Sequence, residues 1–174
     1  MKLSDSRAIT ADRATVWAAL LDPDVLKACV PGCTEMAGSA ADGFEATVVQ
    51  KVGPVKATFK GAVTLSDMIA PESLTISGEG KGGAAGFAKG GANVRLEEDG
   101  ETTILHYDVE AKVGGKLAQL GSRIIDGFAK KMADQFFENF SDAVGTPDLD
   151  EPGTDESGTD DEKPKKGWFK RLVS

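Results

Sequence analysis

Histidine and cysteine are scarce in this chain of 174 residues, which has His106 as its single histidine and Cys29 and Cys33 as its two cysteines. A zinc site needs about three or four nitrogen and sulfur ligands, so no metal site is predicted around the C-x3-C pair. A Ser/His/Asp or Cys/His catalytic set would have to be built on His106 alone. We interpret the two cysteines as reduced thiols and assign no catalytic residue.

Long apolar runs are also missing. No stretch approaches the roughly 18 to 20 apolar residues that cross a bilayer. Residues 1–7 carry charges every few positions and no apolar segment of the kind found in a secretory signal. We therefore expect a cytoplasmic protein made of one ordinary domain, residues 1–145, and a tail.

Charge is distributed unevenly along the chain. The net charge is -8, yet residues 146–162 contain eight acids and no base, while residues 163–174 contain five bases and no acid. Residues 1–145 are left with twenty acids and fifteen bases. A nucleic-acid partner calls for a basic surface on the folded part, so none is predicted.

The tail combines these two segments. We expect residues 146–162 to form a disordered acidic linker and residues 163–174 to form a basic-aromatic segment that binds a membrane. Aromatic rings favour the interface between water and hydrocarbon, and Lys and Arg gain from anionic headgroups. The predicted membrane-binding residues are Lys165, Lys166, Trp168, Phe169, Lys170 and Arg171. Docking to a partner protein and a purely solubilising tail are the alternatives.

Apolar residues alternate with polar ones in two strong strand predictions, 55–65 and 103–113. In the second of these the alternation assigns His106 to the wet face with Asp108 and Glu110. Weaker strands are predicted at 3–9, 35–37, 44–52, 73–80 and 87–97. The short turns between them predict an antiparallel meander.

Helical patterns flank this meander. Thr10 or Asp12 can cap a first helix that carries Trp17 and Leu20, and a second short helix is predicted at 24–29. After residue 115 about thirty residues without proline carry a broad apolar stripe, which predicts one long helix of about 45 Å lying across the sheet.

A glycine-rich stretch at 78–86 superficially resembles a phosphate-binding loop. It lacks the G-x-x-x-x-G-K-[ST] pattern and connects two strands instead of opening a helix. We interpret it as a flexible turn or a bulged hairpin. A gate or a low-profile partner surface at a cavity mouth is the alternative.

Several motifs resemble one known family. They are WAALLDPDVL (17–26), VPGC (30–33), KVGPVK (51–56) with FKG (59–61), GFAKG (86–90), and GGKLAQLGSR (114–123) followed by the Phe136–Phe137 pair. The chain is similar over roughly residues 1–144 to the CoxG family, named after the CoxG subunit of carbon monoxide dehydrogenase. This family lies in the helix-grip superfamily of START and Bet v1-like proteins, also called SRPBCC.

The resemblance implies an α+β fold, in which a curved seven-stranded antiparallel sheet wraps around a long C-terminal helix and two short helices close one end. It implies a non-enzymatic accessory of a molybdenum hydroxylase-type dehydrogenase, peripherally attached to the inner face of the cell membrane. It also implies an apolar cavity. Neither a metal nor a covalently bound cofactor is expected; a quinone or a lipid is the expected bound molecule.

We expect the inward apolar and small side chains to line that cavity. The predicted ligand-binding residues are Trp17, Leu20, Phe59, Gly61, Phe87, Leu105, Tyr107, Leu117, Leu120, Gly121, Ile124, Ile125 and Phe128. A pocket with few polar groups suits a long uncharged molecule held mainly by burial. Simple packing of these side chains against each other is the alternative.

Two other functions stay open at this point. The domain could be a membrane-recruitment module without a ligand, or a cyclase- or hydrolase-type enzyme as found elsewhere in the superfamily. An enzyme of that type would have His106 as its only imidazole.

Overall fold

The computed structural model describes residues 1–145, and Met1–Val144 form one compact unit. The predicted tail segments 146–162 and 163–174 lie outside the described residues. Within residues 1–145, no helix is long and apolar enough to cross a membrane.

Seven antiparallel strands form a single sheet in the order β1-β7-β6-β5-β4-β3-β2. Successive strands from β2 to β7 pair with each other, and β1 pairs with β7 at one edge. The strands are β1 Lys2–Ile9, β2 Cys33–Ser39, β3 Gly43–Val52, β4 Val55–Ile69, β5 Ser73–Lys81, β6 Phe87–Asp99 and β7 Thr102–Gly114. The predicted meander is confirmed, with each strand close to its expected bounds.

Alternation along each strand separates two faces of the sheet. In β4 the half-buried positions begin at Val55 and recur at every second residue as far as Leu65, while the positions between them are exposed. In β7, Leu105 and Tyr107 are buried on the helix-side face, and Asp108 is exposed on the outward face. Side chains of a strand point to opposite faces in turn, so the sequence pattern fixes which face packs.

Two short helices follow β1, α1 at Arg13–Leu20 and α2 at Pro23–Cys29. Asp12 caps α1 by accepting a 2.7 Å hydrogen bond from the backbone N–H of Thr15. Asp22 caps α2 in the same way through the N–H of Asp24, and Pro23 occupies the first turn. Both caps satisfy backbone donors that a helix start leaves free.

The helix predicted after residue 115 is in fact two elements, which corrects the expected length. A 3-10 helix spans Gly115–Leu120, and α3 spans Ser122–Val144, or about 34 Å at 1.5 Å per residue. Gly121 separates them with φ 90° and ψ 158°, a conformation outside the helical region. Leu117 and Leu120 therefore belong to the 3-10 helix.

Candidate functional site

Two hydrophobic clusters pack between the sheet and the helices. The first cluster has twelve buried residues, among them Ile9, Val16, Leu105 and Phe140, and joins α1, α2 and the C-terminal half of α3 to the sheet. The second cluster has three buried residues, Val52, Leu117 and Ile125, with half-buried neighbours that include Phe59, Leu120 and Phe128. The two clusters occupy different ends of the helix-side face.

Glycine and alanine fill the helix-side positions between the two clusters. Register aligns Gly61 of β4 with Gly80 of β5 and Ala88 of β6, and aligns Gly78 of β5 with Gly90 of β6 and Ala111 of β7. All six residues are half-buried. We call Gly61, Gly78, Gly80, Ala88, Gly90 and Ala111 the small-residue belt.

Space opens above part of this belt. A Cβ atom placed on Gly80 would meet no heavy atom within 4 Å, and one on Gly61 would meet only backbone atoms, the nearest at 3.4 Å. At Gly90 the backbone oxygen of Glu110 would lie 2.1 Å from a Cβ, so β6 and β7 approach closely there. The room is therefore greatest over β4 and β5.

Helix α3 spans this face of the sheet. It contacts β3, which lies next to one edge, and β1, which forms the other edge. Its early residues Ile125 and Phe128 belong to the second cluster, and its later residues Phe136 and Phe140 belong to the first. The helix is thus held at both ends, with the small-residue belt on the strands between its two contacts.

The structure distributes the predicted ligand-binding residues over these features. Four lie in the first cluster: Trp17, Leu20, Leu105 and Tyr107. Five lie in the second cluster: Phe59, Leu117, Leu120, Ile125 and Phe128. Gly61 lies in the small-residue belt. Contact with a ligand stays a prediction for all of these.

The other three predicted residues are exposed. Gly121 lies at the break before α3, and the Ile124 side chain is 40% exposed. Phe87 is 41% exposed and lies opposite Gly114, on the outward face of the sheet. The helix-side positions of β6 are Ala88, Gly90, Ala92 and Val94, so the expectation that Phe87 points inward had the wrong parity for this strand.

A polar group that the sequence did not predict joins β1 to α3. The Arg7 guanidinium donates to the Asp134 carboxylate at 2.5 Å and to the Tyr107 hydroxyl at 3.2 Å. It also lies 5.2 Å from the centre of the Phe137 ring, which stacks on Tyr107 at 5.1 Å. Arg7 alternates in phase with Leu3 and Ile9, so its side chain lies on the helix-side face of edge strand β1.

Arg7 favours the ionised form of the Asp134 carboxylate. Its hydrogen bond is the main reason that the pKa of Asp134 lies below the usual value, and a second hydrogen bond from Lys130 at 3.1 Å adds to the effect. The arrangement can position α3 against β1.

His106 lies on the outward face, as alternation predicts. Its Nε2 atom is 2.8 Å from Oε1 of Glu97, and this hydrogen bond lowers the pKa of Glu97. Register places His106 opposite Arg95, and Glu97 lies diagonally across the β6–β7 ladder on the same face. The imidazole therefore lies on the opposite face of the sheet from the small-residue belt.

Both cysteines are free thiols. Cys29 is fully buried in the first cluster, and burial raises the pKa of its thiol to about 11. Cys33 is half-buried, and its thiol donates to the backbone oxygen of Glu35. Across the part of the chain that the structure describes, no three His, Cys, Asp or Glu side chains are grouped to hold a metal ion.

An open cleft of about 690 Å³ lies over β2, β3, β4 and β5, and its lining includes Gly61 of the small-residue belt. Its charged lining residues Glu35, Glu45, Lys60, Glu79 and Lys81 belong to the outward face. Charges of both signs in an open cleft are typical of a solvated surface, and they do not suit an apolar molecule.

Solved structures resemble this fold closely. A conserved protein from Geobacillus kaustophilus is 27% identical, with 83% of this chain and 95% of that chain covered and a TM-score of 0.77. A protein from Thermus thermophilus is 14% identical, with 83% and 97% covered and a TM-score of 0.62. A START superfamily protein from Mycobacterium smegmatis is 13% identical, with 82% and 96% covered and a TM-score of 0.61. No curated protein matches the chain.

A seven-stranded antiparallel sheet crossed by a long C-terminal helix, with two short helices packed at one end, defines the START-like helix-grip fold class. Within that class, the family model of the CoxG subunit of carbon monoxide dehydrogenase matches residues 6–145. The chain belongs to this family, and both the resemblance and the fold predicted from the sequence are confirmed.

Proposed function

We propose that this protein is a non-enzymatic accessory of a molybdenum-containing carbon monoxide dehydrogenase or a related molybdenum hydroxylase. In that role it binds a hydrophobic molecule between α3 and the sheet and links the enzyme to the cytoplasmic membrane. The family name supports the dehydrogenase partner. The observation that carries ligand binding is the small-residue belt between two packed clusters, with open space above Gly80.

The chemistry of the surrounding side chains supports an apolar ligand. Phe59, Phe128 and Met132 are half-buried on the elements that border the belt, and none of them carries a charge. Burial of apolar surface contributes about 25 cal/mol per Å², so a long isoprenoid or acyl chain gains most of its affinity from contact area. A respiratory quinone or an acyl lipid fits this description.

Membrane attachment is supported by the sequence of the tail. Trp168 and Phe169 stand among Lys165, Lys166, Lys170 and Arg171. Each basic residue close to an anionic leaflet contributes roughly 1 kcal/mol, so we expect weak, reversible and salt-sensitive attachment. An accessory that exchanges a ligand between bilayer and enzyme needs such reversibility.

Ligand binding can be tested on the purified protein. The protein is extracted with organic solvent and analysed by mass spectrometry for quinones and lipids, and the stripped protein is titrated with menaquinone and ubiquinone. We expect a quinone or lipid to be retained or bound. A protein that retains none and binds none would refute ligand binding and leave the recruitment module without a ligand.

A matched pair of variants tests whether the small-residue belt is the ligand site. Gly80→Leu puts a side chain into the open space above the belt, whereas Ser77→Leu puts the same side chain on the outward face of the same strand. We expect Gly80→Leu to lower quinone or lipid binding at least tenfold and Ser77→Leu to leave it unchanged. Equal binding by both variants would exclude the belt as the ligand site.

A further inference from the structure

Three segments of the folded part hold a concentration of positive charge. Residues 51–60, 81–90 and 112–124 contain seven lysines and one arginine and not one aspartate or glutamate. The rest of residues 1–145 holds twenty acids and seven bases. The negative net charge of the domain therefore hides a strong separation of charge along the sequence.

The fold brings these three segments to one end of the domain. They comprise the β3–β4 hairpin, the 3-10 connection Gly83–Ala85 between β5 and β6, and the 3-10 connection between β7 and α3. A Cβ on Gly53 at the hairpin tip would lie 3.6 Å from Ile124 and 3.9 Å from Leu120. The two 3-10 helices contact each other. We call residues 51–60, 81–90 and 112–124 the cationic end.

Six of its lysines face each other in pairs on the outward side of the sheet. Register places Lys51 opposite Lys56, Lys60 opposite Lys81, and Lys89 opposite Lys112. Directly opposed like charges destabilise a sheet. Glu79 is opposite Lys89, so one of the six has a carboxylate across the ladder. Three like-charge pairs at one end are not explained by the stability of the fold.

These cations are available to a partner. The seven lysines and Arg123 are all exposed. Among the ion pairs of residues 1–145, none includes any of the eight. Two large apolar side chains, Phe87 and Ile124, are also exposed here, at 41% and 40%. The cationic end thus combines unneutralised charge with exposed hydrocarbon.

We propose that the cationic end is a second lipid-binding surface, which docks the folded domain on an anionic bilayer independently of the tail. Anionic headgroups would neutralise the lysines, and Phe87 and Ile124 would insert at the boundary between headgroups and hydrocarbon. Exposed apolar side chains among the charges favour a bilayer over an acidic protein surface. The acidic remainder of the domain is repelled by the same layer, which orients the molecule.

This docking surface deepens the proposed function. The docking itself does not depend on a bound ligand, and only its purpose rests on the proposed function. The cationic end includes Leu117, Leu120 and Phe59 of the second cluster. That cluster borders the small-residue belt. Docking by this end would place the bilayer surface next to the space in which the proposed hydrophobic ligand is held.

The experiment uses the full chain with Trp168→Ala and Phe169→Ala, which removes the aromatic residues of the tail and leaves its cations identical in every protein compared. It measures co-sedimentation with vesicles of phosphatidylcholine, with or without phosphatidylglycerol. One lysine is removed from each pair in the variant Lys56→Gln, Lys81→Gln, Lys112→Gln. The matched control is Lys27→Gln, Arg95→Gln, Lys131→Gln, which removes the same charge from exposed positions outside the cationic end.

We expect binding only to the anionic vesicles, a loss of about tenfold or more in the paired-lysine variant, and less than about a twofold change in the control. Unfolding in urea should show the paired-lysine variant to be at least as stable as its parent, because like-charge pairs have been removed. Equal losses in variant and control, or no binding once the two aromatic residues are gone, would overturn the proposal. So would normal vesicle binding by the paired-lysine variant, which would leave the cationic end to an acidic protein.

The same proteins separate this inference from the proposed function. Quinone or lipid binding in solution depends on the belt, so the paired-lysine variant should bind ligand normally. A protein that binds no ligand, yet docks on anionic vesicles through the paired lysines, would refute ligand binding and leave the docking surface established.

Discussion

Gly121 offers the sharpest test of how the fold is built at the start of α3. Its φ of 90° and ψ of 158° lie in a region of backbone space that is essentially restricted to glycine. A Cβ at this position would meet no heavy atom within 4 Å. The substitution Gly121→Ala therefore adds no clash with its surroundings, and its whole effect comes from backbone strain of about 1–3 kcal/mol.

Gly127 provides the matched control. It lies within α3, is exposed, and a Cβ there would also meet nothing within 4 Å, but its φ is not positive. Alanine in place of glycine inside an exposed helix adds roughly 0.5–1 kcal/mol of stability. The same chemical change should thus have opposite signs at two positions six residues apart.

Equilibrium unfolding in urea and by heat, followed by circular dichroism, measures both effects. The thermal midpoint should fall by about 2–4 °C per kcal/mol for Gly121→Ala and rise for Gly127→Ala. A Gly121→Ala variant that is as stable as Gly127→Ala and gains helical signal would contradict backbone strain at Gly121. That outcome would mean that the 3-10 segment joins α3 as one continuous helix once glycine is removed.

The packed and charged residues give three further predictions. Phe140 is fully buried, so Phe140→Ala should lower the free energy of unfolding by about 3–5 kcal/mol in a urea titration. Asp134→Asn should lower the free energy of unfolding at pH 7. Because the folded pKa of Asp134 is lowered, this difference in free energy from wild type should vanish as the pH falls below about 4. A difference that stays constant with pH would contradict the ion pair with Arg7. Iodoacetamide at about pH 8 should modify Cys33 and spare Cys29 until the protein is unfolded, since the Cys29 thiol has a pKa of about 11. Mass spectrometry counts the modified thiols. The Cys33→Ser variant, which should stay unlabelled when folded, is the control.

Local pattern was sufficient to predict the sheet. Strands β4 and β7 alternate over their central residues, and a period of two has one structural interpretation when one face packs and the other is wet. The apolar stripe after residue 115 was less informative. Periodicity continues through Gly121, while the break depends on the φ of one residue, which hydrophobicity does not encode.

Other features depend on register, which the sequence does not state. Arg7 and Asp134 are 127 positions apart and meet only because β1 is an edge strand beneath α3. The aromatic character of Phe87 favours the helix-side face, yet the parity of β6 puts its neighbour Ala88 there instead. The pairing of Lys60 with Lys81 likewise appears only after β4 and β5 are aligned.

The inequality of the two hydrophobic clusters has a consequence for local stability. Twelve buried residues hold the first cluster and three hold the second, so the end with the 3-10 helices should open at a lower free energy than the rest. We expect the backbone amides of residues 115–125 to exchange with deuterium well before those of β7 around Leu105. Such sub-global opening would uncover the space over β4 and β5 while the remainder of the domain stays folded. The proposed ligand would then enter without global unfolding, at a rate that follows the exchange of these few amides.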